Sequence, residues 1–231
     1  MTRPESAELC TAREQLAACG QLLVAAGLAV GASGNLSVAT SDGIAITPSG
    51  IGYHELTPAD MCVVAPDGTH LYAPEVPSTE TPMHLAVYAA TGAGAIVHSH
   101  SAEVIALSAV HDELPAIHYA ITELGGPVRV APYLRFGSEG LARAAVAGLD
   151  GRSAVILRNH GALAYGDTLA AAYDRALLLE WLALVWRLAV AHGTPRVLSA
   201  QQLAEVAAER ERRHYGERRR PPGTARPAAP D

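Results

Sequence analysis

The chain has 231 residues, 49% of them hydrophobic, with a formal net charge of −6 at pH 7; this suits one α/β domain with a substantial core and a small ligand, and it argues against nucleic acid or an anionic membrane surface as the main partner. Three cysteines, Cys10, Cys19 and Cys62, show no Cys-x-x-Cys spacing and an odd total, which supports neither a disulfide framework nor a thiolate metal cluster and suits a reducing cytoplasm. The first residues lack the charged-then-apolar pattern of a signal peptide, and the apolar stretch 176–191 is broken by Glu180 and Arg187, so a cytoplasmic protein with no membrane span is expected.

In chain order, residues 6–26 read as an amphipathic helix: Ser6 can cap it, Leu9, Leu16, Leu22 and Leu23 recur near helical spacing, and Gly27 can end it. Gly31-Ala-Ser-Gly34-Asn35-Leu-Ser-Val then runs into a strand, and Asp42-Gly43 signals a hairpin into Ile44-Ala-Ile-Thr. Antiparallel pairing would leave Gly34-Asn35 and Pro48-Ser49-Gly50 at the same end of that hairpin. They would offer an amide, a hydroxyl and uncrowded backbone N–H groups, the chemistry of a phosphate cradle. A third strand, Met61-Cys-Val-Val-Ala, and the turn Pro66-Asp67-Gly68 follow. Pro77-Ser78-Thr79-Glu80-Thr81-Pro82 opens a helix through residue 91, with hydroxyls in the cap region and an acidic group at the first turn. An anion would also bind there.

The apolar run Ile96-Val97-His98-Ser99-His100 ends in two histidines spaced i, i+2, which in a strand share one face and can share one metal ion. A catalytic zinc site takes three protein ligands and an open position, so a third is required. His160, directly after the strand-like Ser153-Ala-Val-Ile-Leu and Arg158-Asn159, is the leading candidate. The helix that starts at Glu80 leads at once into the His98 strand and can bring that carboxylate to the same ion. His84, four residues after Glu80, is the alternative ligand, read more simply as a packed histidine behind the site.

Residues 101–110 form a short helix, and Leu114 to Ile121 a buried segment with His118 as a structural insertion. Gly125-Gly126-Pro127 turns the chain into the strand Val128-Arg-Val-Ala, and Ser138 caps a helix over 139–148. A long helix runs from Asp167 to about His192, with Leu178, Trp181, Val185 and Leu188 expected on its core stripe. A last helix, about 199–213, precedes His214-Tyr215. The organisation expected is one domain over 1–216 and a disordered Pro/Ala-rich tail over 217–231.

Taken together and in this order, Gly34-Asn35-Leu-Ser, Ile-Thr-Pro-Ser49-Gly50, Pro-Ser78-Thr79-Glu80, His98-Ser-His100, Pro-Ala-Ile-His-Tyr119 and Asn-His160-Gly161 resemble the class II aldolase/adducin family over roughly residues 6–216. The resemblance implies a three-layer α/β/α fold around a mainly antiparallel sheet, a zinc ion, and a homotetramer with active sites between subunits. It implies zinc ligation by His98, His100 and His160, with Glu80 as fourth ligand and catalytic base. It places the substrate phosphate on Asn35, Ser49, Gly50, Ser78 and Thr79, although the family often has serine where Thr79 stands. By the same resemblance, Tyr119 handles the aldehyde-oxygen proton in a neighbouring subunit, Phe136 walls the aldehyde pocket, and the C-terminal Tyr215 closes over the site.

The chemistry implied is retro-aldol cleavage of a ketose 1-phosphate, such as L-fuculose 1-phosphate or a 5-deoxypentulose 1-phosphate, to dihydroxyacetone phosphate and a small aldehyde. The chain contains no lysine, so a Schiff-base aldolase is excluded and charge must be stabilised by a metal. Runners-up on the same scaffold are a ribulose-phosphate 4-epimerase and a methylthioribulose-phosphate dehydratase. A non-catalytic adducin-like module would lose the ligands, and all four candidates are present.

Overall fold

The computed structural model describes residues 5–72 and 74–213; Tyr215 and the expected tail over 217–231 lie outside them. Ser6 caps α1 (Ala7–Ala25), its hydroxyl accepting from Leu9 N at 3.1 Å. The hairpin strands β1 (Asn35–Thr40) and β2 (Gly43–Ile46) pair antiparallel about Ser41-Asp42. After β3 (Cys62–Val64) and the short edge strand β4 (His70–Tyr72) come α2 (Thr81–Thr91) and β5 (Ala95–Ser99). Next are α3 (Ala102–Ser108), the two-residue β6 (Glu113–Leu114), β7 (Val128–Ala131) and α4 (Glu139–Gly148). The chain continues through β8 (Ala154–Leu157), β9 (Gly161–Gly166), α5 (Leu169–His192) and α6 (Ala200–Arg212).

The strands form one sheet in the order β4-β3-β2-β1-β5-β9-β8-β7-β6. Its pairings are antiparallel except for β7 with β8. Alternation sorts its residues between two helical layers. Leu36, Val97, Ile156 and Ala164 pack with α1, α3 and α5, whereas Ile96, Val155 and Leu163 pack with α2 and α4. This is the three-layer α/β/α architecture expected. It also fixes which way the histidines point, since His98 lies two residues after Ile96 and so faces the α2 side.

Two readings need correction. On α5 the buried positions are Leu169, Ala172, Ala176, Leu179, Leu182 and Ala183, whereas Trp181 and Leu188 are 43% and 46% exposed. Leu178 and Val185 are only partly buried. The helix is apolar nearly all round, so periodicity does not select a face; the small alanines do, because they let its backbone approach the sheet. The helix cap is Thr168, one residue past Asp167, its hydroxyl accepting from Ala171 N at 3.2 Å. Within 114–121, Leu114, Ala116 and Ile121 are buried but Tyr119 is exposed. Tyr119 opens a 3-10 turn (Tyr119–Leu124) that His118 caps by accepting from Ala120 N at 3.1 Å, the structural part expected of His118.

Candidate active site

Glu80 occupies the N-cap position of α2 yet makes no capping hydrogen bond with its side chain. Ser78 Oγ instead accepts from Glu80 N at 3.2 Å, which frees the carboxylate to turn toward β5. There Oε2 lies 2.9 Å from His98 Nε2 and Oε1 lies 3.3 Å from His160 Nε2. The Nε2 atoms of His98 and His100 are 3.0 Å apart. The three rings stand edge to face with centroids 4.8, 4.9 and 4.9 Å apart, so four candidate ligand atoms, one from each residue, lie within 4.8 Å of one another.

Local backbone rules bring these groups together. Gly34 has φ +78, and a Cβ there would sit 2.6 Å from His98 O, so only glycine allows the loop before β1 to cross the end of β5 this closely. His160 sits in the three-residue connection between β8 and β9, whose ends Leu157 and Gly161 face each other. That connection turns through Asn159 at φ 54, a left-handed conformation asparagine tolerates. Ser108 Oγ accepts from Asn159 N at 2.9 Å and holds the turn in place.

The donor chemistry fits a divalent cation. His98 Nδ1 faces Ala162 O at 2.9 Å, so in the neutral ring Nδ1 carries the proton and Nε2 presents a lone pair toward the carboxylate. Two lone pairs facing each other at 2.9 Å repel, so either a proton on Nε2 or a metal cation must lie between them. Glu80 Oε1 is buried with no hydrogen-bond partner among the described residues. Three imidazoles and a carboxylate around one point are a ligand set typical of zinc.

The electrostatics agree. Burial pushes the Glu80 carboxyl up, but His98, then His160 and the Asn35 amide, outweigh it and hold it well below the usual carboxylate range. Burial pulls His98 down, and the Glu80 carboxylate reverses this, leaving it raised. His100 is driven down to about 3 by burial and by the charge of His98 and His160. His160 is lowered by burial and then His98. His100 and His160 are thus held neutral, with lone pairs free for a cation.

The cluster forms one wall of a cavity of about 290 Å³. Asn35, Ser49, Gly50, Ser78 and Thr79 line it together with Glu80, His100, His160 and Phe136; His98 lies fully buried behind them. The two hydroxyl-bearing loops are clamped to each other: Ser49 N donates to Val76 O at 2.8 Å and Ser78 N to Thr47 O at 3.2 Å, around a bridge between Pro48 and Pro77. Ser33, Tyr133, Leu134 and Asn159 also line the cavity and were not singled out from sequence. No local pattern marks them, as three lie in irregular loops and Asn159 was weighed only as the neighbour of His160. Tyr119 lies elsewhere, in a second cavity with Gln202, Glu205 and Arg210. Its ring stacks on His118 at 4.3 Å, and His118 meets Trp181 edge-on at 5.0 Å.

Residues 14–186 match the family model described as Class II Aldolase and Adducin N-terminal domain. The chain is 34% identical over 198 residues to the 5-deoxy-D-ribulose 1-phosphate aldolase of Bacillus thuringiensis, spanning 84% of this chain and 93% of that one. It is 36% identical over 184 residues to the L-fuculose phosphate aldolase of Escherichia coli, spanning 78% and 85% respectively. A solved L-fuculose 1-phosphate aldolase superposes with a TM-score of 0.85 at 34% identity, covering 90% of this chain and 98% of that one. The chain therefore belongs to the class II aldolase/adducin family, and it is an aldolase with a candidate metal site of glutamate and histidine. No described helix is long and apolar enough to cross a membrane.

Proposed function

We propose that the protein uses zinc, held by His98, His100, His160 and Glu80, to cleave a ketose 1-phosphate between C3 and C4 into dihydroxyacetone phosphate and a small aldehyde in the cytoplasm. The observation that carries this reading is the four-ligand cluster at a cavity that also bears the clamped loops of Ser49 and Ser78: Glu80, His100 and His160 line it and His98 lies behind them. Asn35, Ser49, Gly50, Ser78 and Thr79 take the substrate phosphate through an amide, hydroxyls and the positive end of α2. This anchors C1 and sets C2 and C3 beside the histidines.

A divalent cation held there supplies electrostatic stabilisation for the negative charge that builds as the bond breaks. The C4 hydroxyl loses its proton, C4 becomes the aldehyde carbon, and the bonding pair passes to C3 and the C2 carbonyl. Glu80, having moved off the ligand cluster and taken up a proton from solvent, delivers it to C3, completing dihydroxyacetone phosphate. Tyr119 of a second copy in a homotetramer takes the C4 hydroxyl proton as it passes its own phenolic proton to solvent. Its exposure, and its place outside the lining of the cavity that holds the ligand cluster, support a part across an interface. Phe136, exposed at the cavity rim, gives the aldehyde half an apolar wall.

The test offers L-fuculose 1-phosphate and 5-deoxyribulose 1-phosphate to zinc-loaded protein and follows dihydroxyacetone phosphate with a coupled reductase. Release from at least one is expected. Release from neither, with zinc bound stoichiometrically, overturns the proposal; a 4-epimerase would instead return an isomeric sugar phosphate.

A further inference from the structure

Beside the ligand cluster, the interface between α2 and β1 contains a buried polar ladder in an otherwise apolar layer. Glu80, His84 and Tyr88 are spaced i, i+4, i+8 along one face of the helix, and Asn35 and Ser37 are spaced i, i+2 on the facing side of the strand. Ser37 and His84 are fully buried. Tyr88 OH lies 2.8 Å from Ser37 Oγ, and Ser37 Oγ lies 2.6 Å from His84 Nδ1. His84 Nε2 lies 2.6 Å from Asn35 Oδ1, and Asn35 Nδ2 lies 3.1 Å from Glu80 Oε2.

Chemistry allows one direction along this chain. An ionised carboxylate only accepts, so the Asn35 amide must turn its NH₂ toward Glu80 and its oxygen toward His84. His84 must then carry its proton on Nε2 and accept at Nδ1 from the Ser37 hydroxyl. Ser37, having spent its proton, accepts from Tyr88. With the amide reversed, two oxygens would face each other at the Glu80 end and two donors at the His84 end. We infer that His84 is a positioning residue: by fixing the orientation of the Asn35 amide it holds Glu80 Oε2, and so keeps Oε1 aimed at the histidine cluster and the cavity. The inference rests on the part proposed for Glu80.

Five holoenzyme forms test it: the wild type, His84→Leu, Asn35→Ala, the double variant, and His84→Gln as the conservative replacement. The readouts are kcat, KM, thermal stability and the zinc dissociation constant from chelator competition with the metal alone. His84→Leu should lower kcat, and weaken zinc, by about 10–100-fold, the usual effect of losing a group that orients a ligand. In the Asn35→Ala background the same change should alter either by less than about threefold, since its target is gone. His84→Gln, which offers one donor and one acceptor, should recover most of the loss. An equal loss in both backgrounds overturns the inference, as does a His84→Leu protein within about threefold of wild type in both kcat and zinc affinity. Should His84→Leu not fold, Ser37→Ala removes the donor that fixes the ring's tautomer and runs the same cycle under the same criteria. Because chelator competition needs no substrate, a protein inert toward ketose phosphates would still decide the inference on metal affinity.

Discussion

Glu80→Gln separates the proton chemistry of this side chain from its part in holding the metal. The Asn35 amide at 3.1 Å still needs an acceptor, so the glutamine oxygen takes the Oε2 position and its NH₂ takes the Oε1 position, 3.3 Å from His160 Nε2 in the native arrangement. An amide nitrogen there neither ligates nor carries a proton to C3. Three histidines remain, enough for a catalytic zinc site, so zinc should stay stoichiometric when metal is in excess although affinity falls. The Ser49 and Ser78 loops are untouched, and KM should move only a few-fold. A positioned acid–base group contributes about 10²–10⁴-fold, or roughly 3–5 kcal/mol of barrier, and kcat should fall by that much. The assay is steady-state release of dihydroxyacetone phosphate, with zinc measured by elemental analysis on the same samples. Turnover within about threefold of wild type at full zinc occupancy would refute the reasoning.

His98→Ala and His160→Ala should each abolish tight zinc binding, whereas a stoichiometric metal content in either purified variant would remove that histidine from the ligand set. Burial holds His84 and His100 near 3, against 6.5 for an ordinary histidine, so the unfolded chain binds more protons below pH 6.5. The zinc-free protein should lose stability as pH falls from about 6.5, by about 1.4 kcal/mol per pH unit from His84 alone, while His98, shifted upward, adds its slope only above pH 6.5 and with the opposite sign. Urea unfolding at pH 6.5 and 4.5 that gave equal stabilities would contradict this. Gly34→Ala should cost at least about 2 kcal/mol and loosen zinc, because a left-handed residue with a Cβ is strained and that Cβ meets His98 O; a neutral effect in both would show that the crossing loop can shift freely. Tyr119→Phe subunits co-assembled with Glu80→Gln subunits should regain activity that neither parent has, since some interfaces then pair an intact tyrosine with an intact glutamate. Mixed oligomers seen by native mass spectrometry but without activity would exclude a shared site.

What was legible in the sequence follows from how local each signal is. His98 and His100 could be paired because the period of a strand is two whatever the strand packs against, and Asp42-Gly43, Ser6 and Ser138 mark turns and caps through bonds spanning a few residues. The expected face of α5 was misplaced because an all-round apolar helix has no local asymmetry; the contact is decided by where Ala172, Ala176 and Ala183 let it approach the sheet. β4 and β6, three and two residues long, depend on a neighbouring strand for their existence and leave no periodic trace.

The polar ladder lies between these cases. Its helix half, Glu80, His84 and Tyr88, and its strand half, Asn35 and Ser37, are each regular enough to be seen, and His84 was correctly read as lying behind the site. What joins the halves is the placement of α2 over β1, which no spacing within either element encodes. That placement also explains why polar groups are tolerated there: each internal donor meets an acceptor, so burial carries no unsatisfied group until the last atom, Glu80 Oε1. A chain of satisfied hydrogen bonds that leaves one buried carboxylate oxygen unpartnered beside the His160 ring stores its unmet demand where a cation can answer it.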